Sequence, residues 1–211
     1  TLLALFMFST SYAKEVKVGI ILGFTGPIES LTPGMAAGAE LAFNEASDSG
    51  ALLGGSTVSS IRADSTCIDS AAAASAAEFL ISQGVTAIMG ADCSGVTGAV
   101  LSNVAVPNGV PMISPSATSP ALTTAEDNGL FFRTAPSDAR GGEVLADITN
   151  DRGITSVAIT YVNTDYGVGL ADVYEAAANA RGIEVTAKTA HEGDKADYSA
   201  EVGVLSSAGG D

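Results

Sequence analysis

The feature of this sequence that most constrains its fold is a regular alternation of short apolar runs with longer segments of helical periodicity. The short runs have strand length, and the segments between them repeat apolar residues every three or four positions. This alternation predicts an α/β fold in which parallel strands are flanked by helices. The predicted strands are residues 16–22, 57–64, 86–90, 110–114, 130–134, 156–162 and 183–189.

Capping residues indicate where the predicted helices begin and end. Thr32, followed by a proline, is typical of an N-cap, and Asp69 and Asp165 occupy the same position before two further helices. Gly84 and Gly182 end those two helices, because glycine readily adopts the left-handed conformation of a helix C-terminus. The other predicted helices are residues 95–106, 137–151 and 197–207.

The chain has 211 residues, of which 46% are hydrophobic, and this is enough for a packed core. Pro136 is the best candidate for a boundary between two lobes of parallel sheet. We therefore predict an N-terminal α/β lobe at residues 14–135 and the first part of a second lobe at 136–211. The sequence ends just after a predicted helix, where the alternation calls for another strand, so we expect the second lobe to be incomplete.

The first thirteen residues, TLLALFMFSTSYA, carry no charge and are mostly apolar. Their apolar stretch is too short to span a bilayer, and it ends in small residues before Lys14. This pattern is typical of the apolar core and cleavage site of a secretory signal. We therefore interpret residues 1–13 as a partial signal peptide and expect the chain to be exported into an oxidising compartment.

The composition of the chain narrows its possible partners. The net charge is −15, from 24 acidic and 9 basic residues, and this argues against binding to nucleic acid or to anionic membranes. The two cysteines, Cys67 and Cys93, favour a disulfide in an exported chain. A metal site is the alternative for this pair, although the sequence contains a single histidine.

Hydroxyl-bearing residues follow two consecutive predicted strands. Ser94, in the segment ADCSGVTGAV, stands at the start of a helix, and Ser116 and Thr118 lie in the turn ISPSATSP after the next strand. In open α/β sheets ligands bind beyond the carboxyl ends of the strands, and a helix N-terminus with hydroxyls favours an anion. These turns predict a carboxylate-binding site. The alternative is that the same residues only cap helices and form turns.

Patterns typical of α/β enzymes are missing from the sequence. His191 is the only histidine and no G-x-S-x-G segment accompanies it, so a serine hydrolase is disfavoured. There is no Walker phosphate loop, and the glycines of GIILGFTG do not have dinucleotide-binding spacing. We therefore expect no catalytic activity, cofactor or metal. An exported α/β enzyme is the alternative from another functional class.

Seven segments occur in an order that resembles the Leu/Ile/Val-binding proteins, the extracytoplasmic receptors of branched-chain amino-acid ABC importers. They are VKVGIILGFTGP, GALLGGSTV, ADSTCID, IMGADCSGVTGAV, VPMISPSATSPALT, FFRT and YVNTDYGVGLAD. The resemblance extends over residues 14–211 and implies a type I periplasmic-binding-protein-like fold, with the ligand clamped between two lobes.

The resemblance also implies roles for individual residues. Ser94 and Thr118 would bind the ligand carboxylate, the Ser116 carbonyl would accept from its ammonium group, and Tyr166 would cover it from the second lobe. Cys67 and Cys93 would form the disulfide of the first lobe. Leu31 departs from the tryptophan of the leucine receptors, which leaves the exact ligand open. The full predicted ligand-binding set is Leu31, Cys93, Ser94, Ser116, Ala117, Thr118 and Tyr166.

The resemblance implies a periplasmic, monomeric solute-binding protein that delivers a small-molecule ligand to the membrane permease of an ABC importer. The expected ligand is a branched-chain or related apolar amino acid. The alternative within the same fold is a receptor or sensor for amides, urea or aromatic acids.

Overall fold

A computed structural model describes residues 13–209 of the chain. The predicted signal segment, residues 1–13, lies almost wholly outside the described residues. The strands are β1 (Glu15–Leu22), β2 (Thr57–Asp64), β3 (Ala87–Gly90), β4 (Met112–Ser114), β5 (Phe131–Arg133), β6 (Ser156–Val162) and β7 (Glu184–His191). All seven predicted strands are confirmed, and β2 and β6 have the predicted bounds.

The helices alternate with these strands along the chain. They are α1 (Thr32–Asp48), α2 (Ser70–Ser82), α3 (Ser94–Val100), α4 (Val106–Asn108), α5 (Asp138–Asp151), α6 (Asp165–Ala180) and α7 (Ser199–Ala208). A π-helical turn, Leu101–Ala105, joins α3 to α4, and short 3-10 segments lie at Leu52–Gly54 and Pro120–Thr123. Among the described residues no helix has both the length and the apolar character needed to cross a membrane.

The strands form two separate parallel sheets. The first has five strands in the order β2-β1-β3-β4-β5, and the second pairs β6 with β7. We call residues 15–133 the first sheet unit and residues 138–208 the second sheet unit. In the first unit β1 pairs with β2 over its whole length and with β3 near its carboxyl end. The carboxyl ends of β1, β2 and β3 therefore meet at one edge of the sheet, and the loops that follow them are neighbours.

Both faces of the first sheet are covered. Successive side chains of a strand point to opposite faces, and β1 carries apolar side chains on both. Ile21 faces a core of α2 and α3 side chains, which includes Leu80 and Val96. Ile20 and Leu22 face the opposite side, where Ala36 of α1 packs on them. All six side chains are at most 1% exposed. Burial on both faces explains why β1 is a continuous apolar run in the sequence.

The second sheet unit has its own smaller core. Ala146 of α5 packs with Tyr174 and Ala178 of α6 and with Ile183 just before β7. The Tyr174 hydroxyl lies 3.0 Å from the Thr149 hydroxyl, so this buried polar group is hydrogen-bonded. This core belongs to α5, α6 and the β6–β7 pair.

Two predicted helix caps are wrong by one residue. Thr32 is not an N-cap but the first residue of α1, since its hydroxyl donates to the carbonyl oxygens of Gly23 and Glu29. Asp165 is the first residue of α6, because the Thr164 hydroxyl is the group that accepts from the Gly167 N–H, at 3.2 Å. The predicted cap at Asp69 is confirmed, with its carboxylate accepting from the N–H groups of Ala71 and Ala72.

Candidate functional site

The turn after β3 brings the carboxyl ends of three strands together around Asp92. This buried carboxylate accepts from the Gly23 N–H after β1 at 2.6 Å and from the Ser65 hydroxyl after β2 at 3.2 Å. It also accepts from the Cys93 N–H at 2.9 Å. Because the Thr32 hydroxyl donates to the Gly23 carbonyl, the start of α1 is connected to the same network.

The backbone before Asp92 requires a glycine. Gly90 has φ +129° and is followed by a cis peptide bond to Ala91. A Cβ atom at Gly90 would lie 1.9 Å from the Ile21 carbonyl oxygen, which no neighbouring adjustment could relieve. The close approach of β3 to β1 therefore depends on the absence of a side chain at Gly90. The turn that carries Asp92 begins at this glycine.

Cys67 and Cys93 form a disulfide, and their Cα atoms are 5.2 Å apart. This bond joins the loop after β2 to the turn after β3, so the predicted disulfide is present and the metal alternative for this pair is wrong. Cys93 is also the N-cap residue of α3, in extended conformation. Within residues 13–209 no cluster of side chains suited to a metal ion is found.

Ser94 is the first residue of α3 and is 4% exposed. Its hydroxyl oxygen accepts from the Ser119 N–H at 3.1 Å, so the α3 N-terminus is bonded to the turn after β4. The same turn is bonded to Asp92, because the Ser116 hydroxyl donates to the Asp92 carbonyl oxygen at 3.0 Å. The two hydroxyl-bearing turns predicted from the sequence therefore lie side by side.

Ser114 and Arg133 hold the second turn in its conformation. The buried Ser114 hydroxyl donates to the Ala91 carbonyl at 2.5 Å and accepts from the Ala117 N–H at 3.0 Å. The Arg133 guanidinium donates to the carbonyl oxygens of Ala117 and Ser119, at 3.2 and 2.9 Å. These bonds engage the carbonyl oxygens of Ala117 and Ser119 and tie the turn to the ends of β3 and β5.

Thr118 differs from its neighbours in this turn. Its carbonyl oxygen accepts from the Asp138 N–H at 3.0 Å, at the start of α5. In the described part of the chain, neither the Thr118 hydroxyl nor its backbone N–H has a hydrogen-bond partner within the protein. Thr118 is half-buried, and neither of these two donors is engaged within the described protein.

The structure does not unite all of the predicted site residues. Cys93, Ser94, Ser116, Ala117 and Thr118 belong to the two bonded turns described above. Leu31 is 57% exposed before α1, and Tyr166 is 46% exposed in the first turn of α6. Each follows the carboxyl end of a strand, but neither is hydrogen-bonded to the two turns.

Sequence reasoning missed three residues that build the site, namely Asp92, Ser114 and Arg133. All three lie in segments that were interpreted as strand or turn. The only local signal is that each polar side chain stands at the end of a strand, and such positions in an α/β sheet adjoin the ligand-binding edge.

Two parallel sheets flanked by helices, with polar turns at the carboxyl ends of the strands, define an α/β ligand-binding protein. The chain belongs to the periplasmic binding protein family, whose family model matches residues 15–211. It is 35% identical over 205 residues to Leu/Ile/Val-binding protein homolog 3 of Brucella melitensis, covering 95% of this chain and 54% of the relative.

Solved structures of this family have the same fold. The leucine-binding protein LivK of Thermotoga maritima superposes with a TM-score of 0.80 at 26% identity, over 92% of this chain and 53% of that one. The branched-chain amino acid binding protein LivJ of Streptococcus pneumoniae, in complex with isoleucine, gives 0.78 at 26% identity, over 93% and 55%. The chain thus spans about half the length of the relatives it matches.

Proposed function

We propose that this chain is part of the solute-binding protein of an ABC importer, and that it binds branched-chain or related apolar amino acids. The observation that carries the proposal is the pair of bonded turns after β3 and β4. There Thr118, with its two unpartnered donors, directly precedes Ser119, whose N–H donates to the Ser94 hydroxyl at the α3 N-terminus. Membership of the periplasmic binding protein family supports export of the protein and a role in transport.

In this proposal the ligand carboxylate accepts hydrogen bonds from Thr118 and Ser94, and the Ser116 carbonyl accepts from the ammonium group. Leu31 and Tyr166, both exposed beside strand ends, contact the ligand side chain. A zwitterionic amino acid fits a protein of net charge −15, because it is not repelled as a dianion would be. The proposed partner is a membrane permease, and the proposal assigns no reaction and no cofactor.

The proposed binding site also explains the role of the disulfide. Cys93 precedes Ser94 directly, and its bond to Cys67 ties the start of α3 to the loop after β2. A hydroxyl that must meet a ligand within hydrogen-bonding distance is more effective when its backbone is held before the ligand arrives. The disulfide and the Asp92 network together supply that restraint.

The test is calorimetric titration of the complete gene product with leucine, isoleucine, valine and alanine, and with amides, urea and benzoate. We expect one of the apolar amino acids to bind. Thr118→Ala should then weaken binding about ten- to a hundredfold, because it removes a hydrogen bond to a charged group. Thr118→Ser, which keeps the hydroxyl, should retain most of the affinity.

The matched control for these variants is Ser102→Ala. Ser102 is exposed on the π-helical turn, and its hydroxyl bonds only within its own helix, to the Gly98 carbonyl at 2.9 Å. We expect the Ser102→Ala variant to bind the amino acid as tightly as the unmodified protein does. Binding of amides, urea or benzoate in place of amino acids would favour the alternative receptor, and equal affinity of Thr118→Ala and Ser102→Ala would contradict the proposed site.

A further inference from the structure

The second sheet unit touches the first through helix α6. Two glycines mark the contact, one on each side. A Cβ atom at Gly95 of α3 would lie 3.4 Å from the Asp165 carboxylate of α6. A Cβ atom at Gly169 of α6 would lie 3.0 Å from Pro120 Cδ and 3.2 Å from the Ser119 hydroxyl oxygen. The contact at Gly169 is therefore the tighter of the two.

Backbone conformation does not explain why a glycine occupies position 169. Gly169 lies inside α6 and is not among the glycines with positive φ, so alanine would suit its backbone better. Gly167 is different, because a Cβ atom there would lie 2.1 Å from the Val162 carbonyl oxygen, within the second sheet unit. The feature that distinguishes Gly169 is its contact with the first sheet unit.

The residue that Gly169 contacts belongs to the candidate site. Ser119 is 3% exposed, and its N–H donates to the Ser94 hydroxyl. Its hydroxyl oxygen would lie 3.2 Å from a Cβ atom at position 169, second only to Pro120 Cδ. Ser119 therefore lies between Gly169 of α6 and Ser94 of α3.

We infer that Gly169 is a positioning residue, whose missing side chain lets α6 close onto the Ser119–Pro120 turn and so holds Ser94 in its binding position. The affinity part of this inference rests on the proposed function, whereas the contact itself does not. The approach of the two sheet units and the geometry of the carboxylate site are then coupled through the Ser119–Pro120 turn.

The first experiment measures the contact without any ligand. Spin labels on Glu78→Cys in α2 and Asn179→Cys in α6 report the distance between the two sheet units in the complete gene product. Both positions are exposed, and no free cysteine among the described residues competes for the label. We expect Gly169→Ala to lengthen and broaden the distance distribution, because the added methyl group meets Pro120 and Ser119.

Two control variants separate the contact from general effects of adding a methyl group. Gly38→Ala lies inside α1, where a Cβ atom would meet nothing within 4 Å, so it should leave the distance unchanged. Gly142→Ala would place its Cβ atom 2.6 Å from Val173 Cγ1 inside the second sheet unit. It should lower the melting temperature without lengthening the distance between the units.

The second experiment measures affinity for whichever amino acid the calorimetric screen identifies. Gly169→Ala should weaken its binding about tenfold or more, as expected for an overpacked contact. Adding Pro120→Ala, which removes the nearest atom, should restore part of both the affinity and the original distance. This rescue would not occur if Gly169→Ala acted only by destabilising α6.

The outcomes separate the inference from the proposed function. An unchanged distance in folded Gly169→Ala would overturn the inference, whatever the ligand. A lengthened distance, in a protein that binds no amino acid, would uphold the contact and refute the proposed function. A lengthened distance with unchanged affinity for a bound amino acid would overturn the coupling to Ser94.

Discussion

Asp92 joins the candidate site to the sheet. Its carboxylate accepts from groups that follow β1, β2 and β3, so a single side chain holds three strand ends in one arrangement. Because Asp92 is only 2% exposed, water cannot replace these bonds. Its own carbonyl oxygen accepts from Ser116, so the turn after β4 depends on the same residue.

We predict that Asp92→Ala lowers the free energy of unfolding by about 3 kcal/mol, because the buried Gly23 N–H and Ser65 hydroxyl lose a charged acceptor. For a chain of this length that corresponds to a fall in melting temperature of about 6–12 °C. Urea denaturation followed by circular dichroism measures the change. The control is Asp151→Ala, which removes an exposed carboxylate from the end of α5 and should change stability little.

At this scale the sequence revealed the hydroxyl residues but not the carboxylate that organises them. Ser94, Ser116 and Thr118 were predictable because each lies in a turn after a predicted strand. Asp92 lies in the same turn as Ser94, yet its partner Gly23 is 69 residues away in sequence and its partner Ser65 is 27 residues away. No local pattern distinguishes a buried carboxylate with distant partners from an exposed turn residue.

At the scale of elements, the alternation of strand-length runs with helical segments predicted every strand among the described residues. Burial on both faces explains why β1 is continuously apolar, whereas β2 and β7 mix apolar and polar residues and were predicted from their strand-like length and pattern. Helix starts were less predictable. Thr164 and Asp165 are both favoured N-cap residues, and only the chain path after β6 decides which hydroxyl or carboxylate reaches the Gly167 N–H. The π-helical turn at Leu101–Ala105 has no sequence signal that we could identify.

An ion pair between two elements gives a pH-dependent prediction. Arg62 of β2 donates two hydrogen bonds to Glu40 of α1, both at 2.7 Å, and these bonds hold the pKa of the Glu40 carboxyl below its ordinary value. A lowered pKa means that the stabilisation is present at neutral pH and is lost as the pH falls through the acid range. Since both groups are partly exposed, its size is about 0.5 kcal/mol.

The measurement for this pair is the difference in unfolding free energy between the unmodified protein and Glu40→Gln. We expect a difference of about 0.5 kcal/mol at pH 7 that persists down to the ordinary pKa of a glutamate, about 4.3, and is lost as the pH falls further through the lowered pKa of Glu40. Glu143→Gln is the control, because its bond from Arg140 joins two residues of the same helix and both side chains are more exposed. If the difference in unfolding free energy grew towards low pH, the stabilising role assigned to the Arg62–Glu40 ion pair would be wrong.

At the scale of the whole molecule, the two sheet units have different restraints. The first has five strands, cores on both faces of its sheet and a disulfide, whereas the second has two strands and one core. Pro136, at which we predict the boundary between two lobes, lies between β5 and α5. The contact of α6 with the Ser119–Pro120 turn was not predictable, because it depends on how the two units are arranged in space.

We predict that reducing the Cys67–Cys93 bond lowers the stability of the first sheet unit. The cysteines are 26 residues apart, and cross-linking a loop of that size stabilises the folded state by about 3.5 kcal/mol in the chain-entropy treatment. Thermal unfolding with and without reductant should show a shift of about 7–14 °C. The variant with both cysteines changed to serine should melt at the lower temperature and be insensitive to reductant.

The order of the elements along the chain has a consequence for biogenesis. Among the described residues, every strand of the five-stranded sheet comes from before residue 134, and both disulfide cysteines lie inside that stretch. The first sheet unit can therefore fold before the later residues are available, since domains generally fold as units and in order from the N-terminus, and its disulfide needs none of those later residues. The second sheet unit can then fold against a first unit that is already ordered.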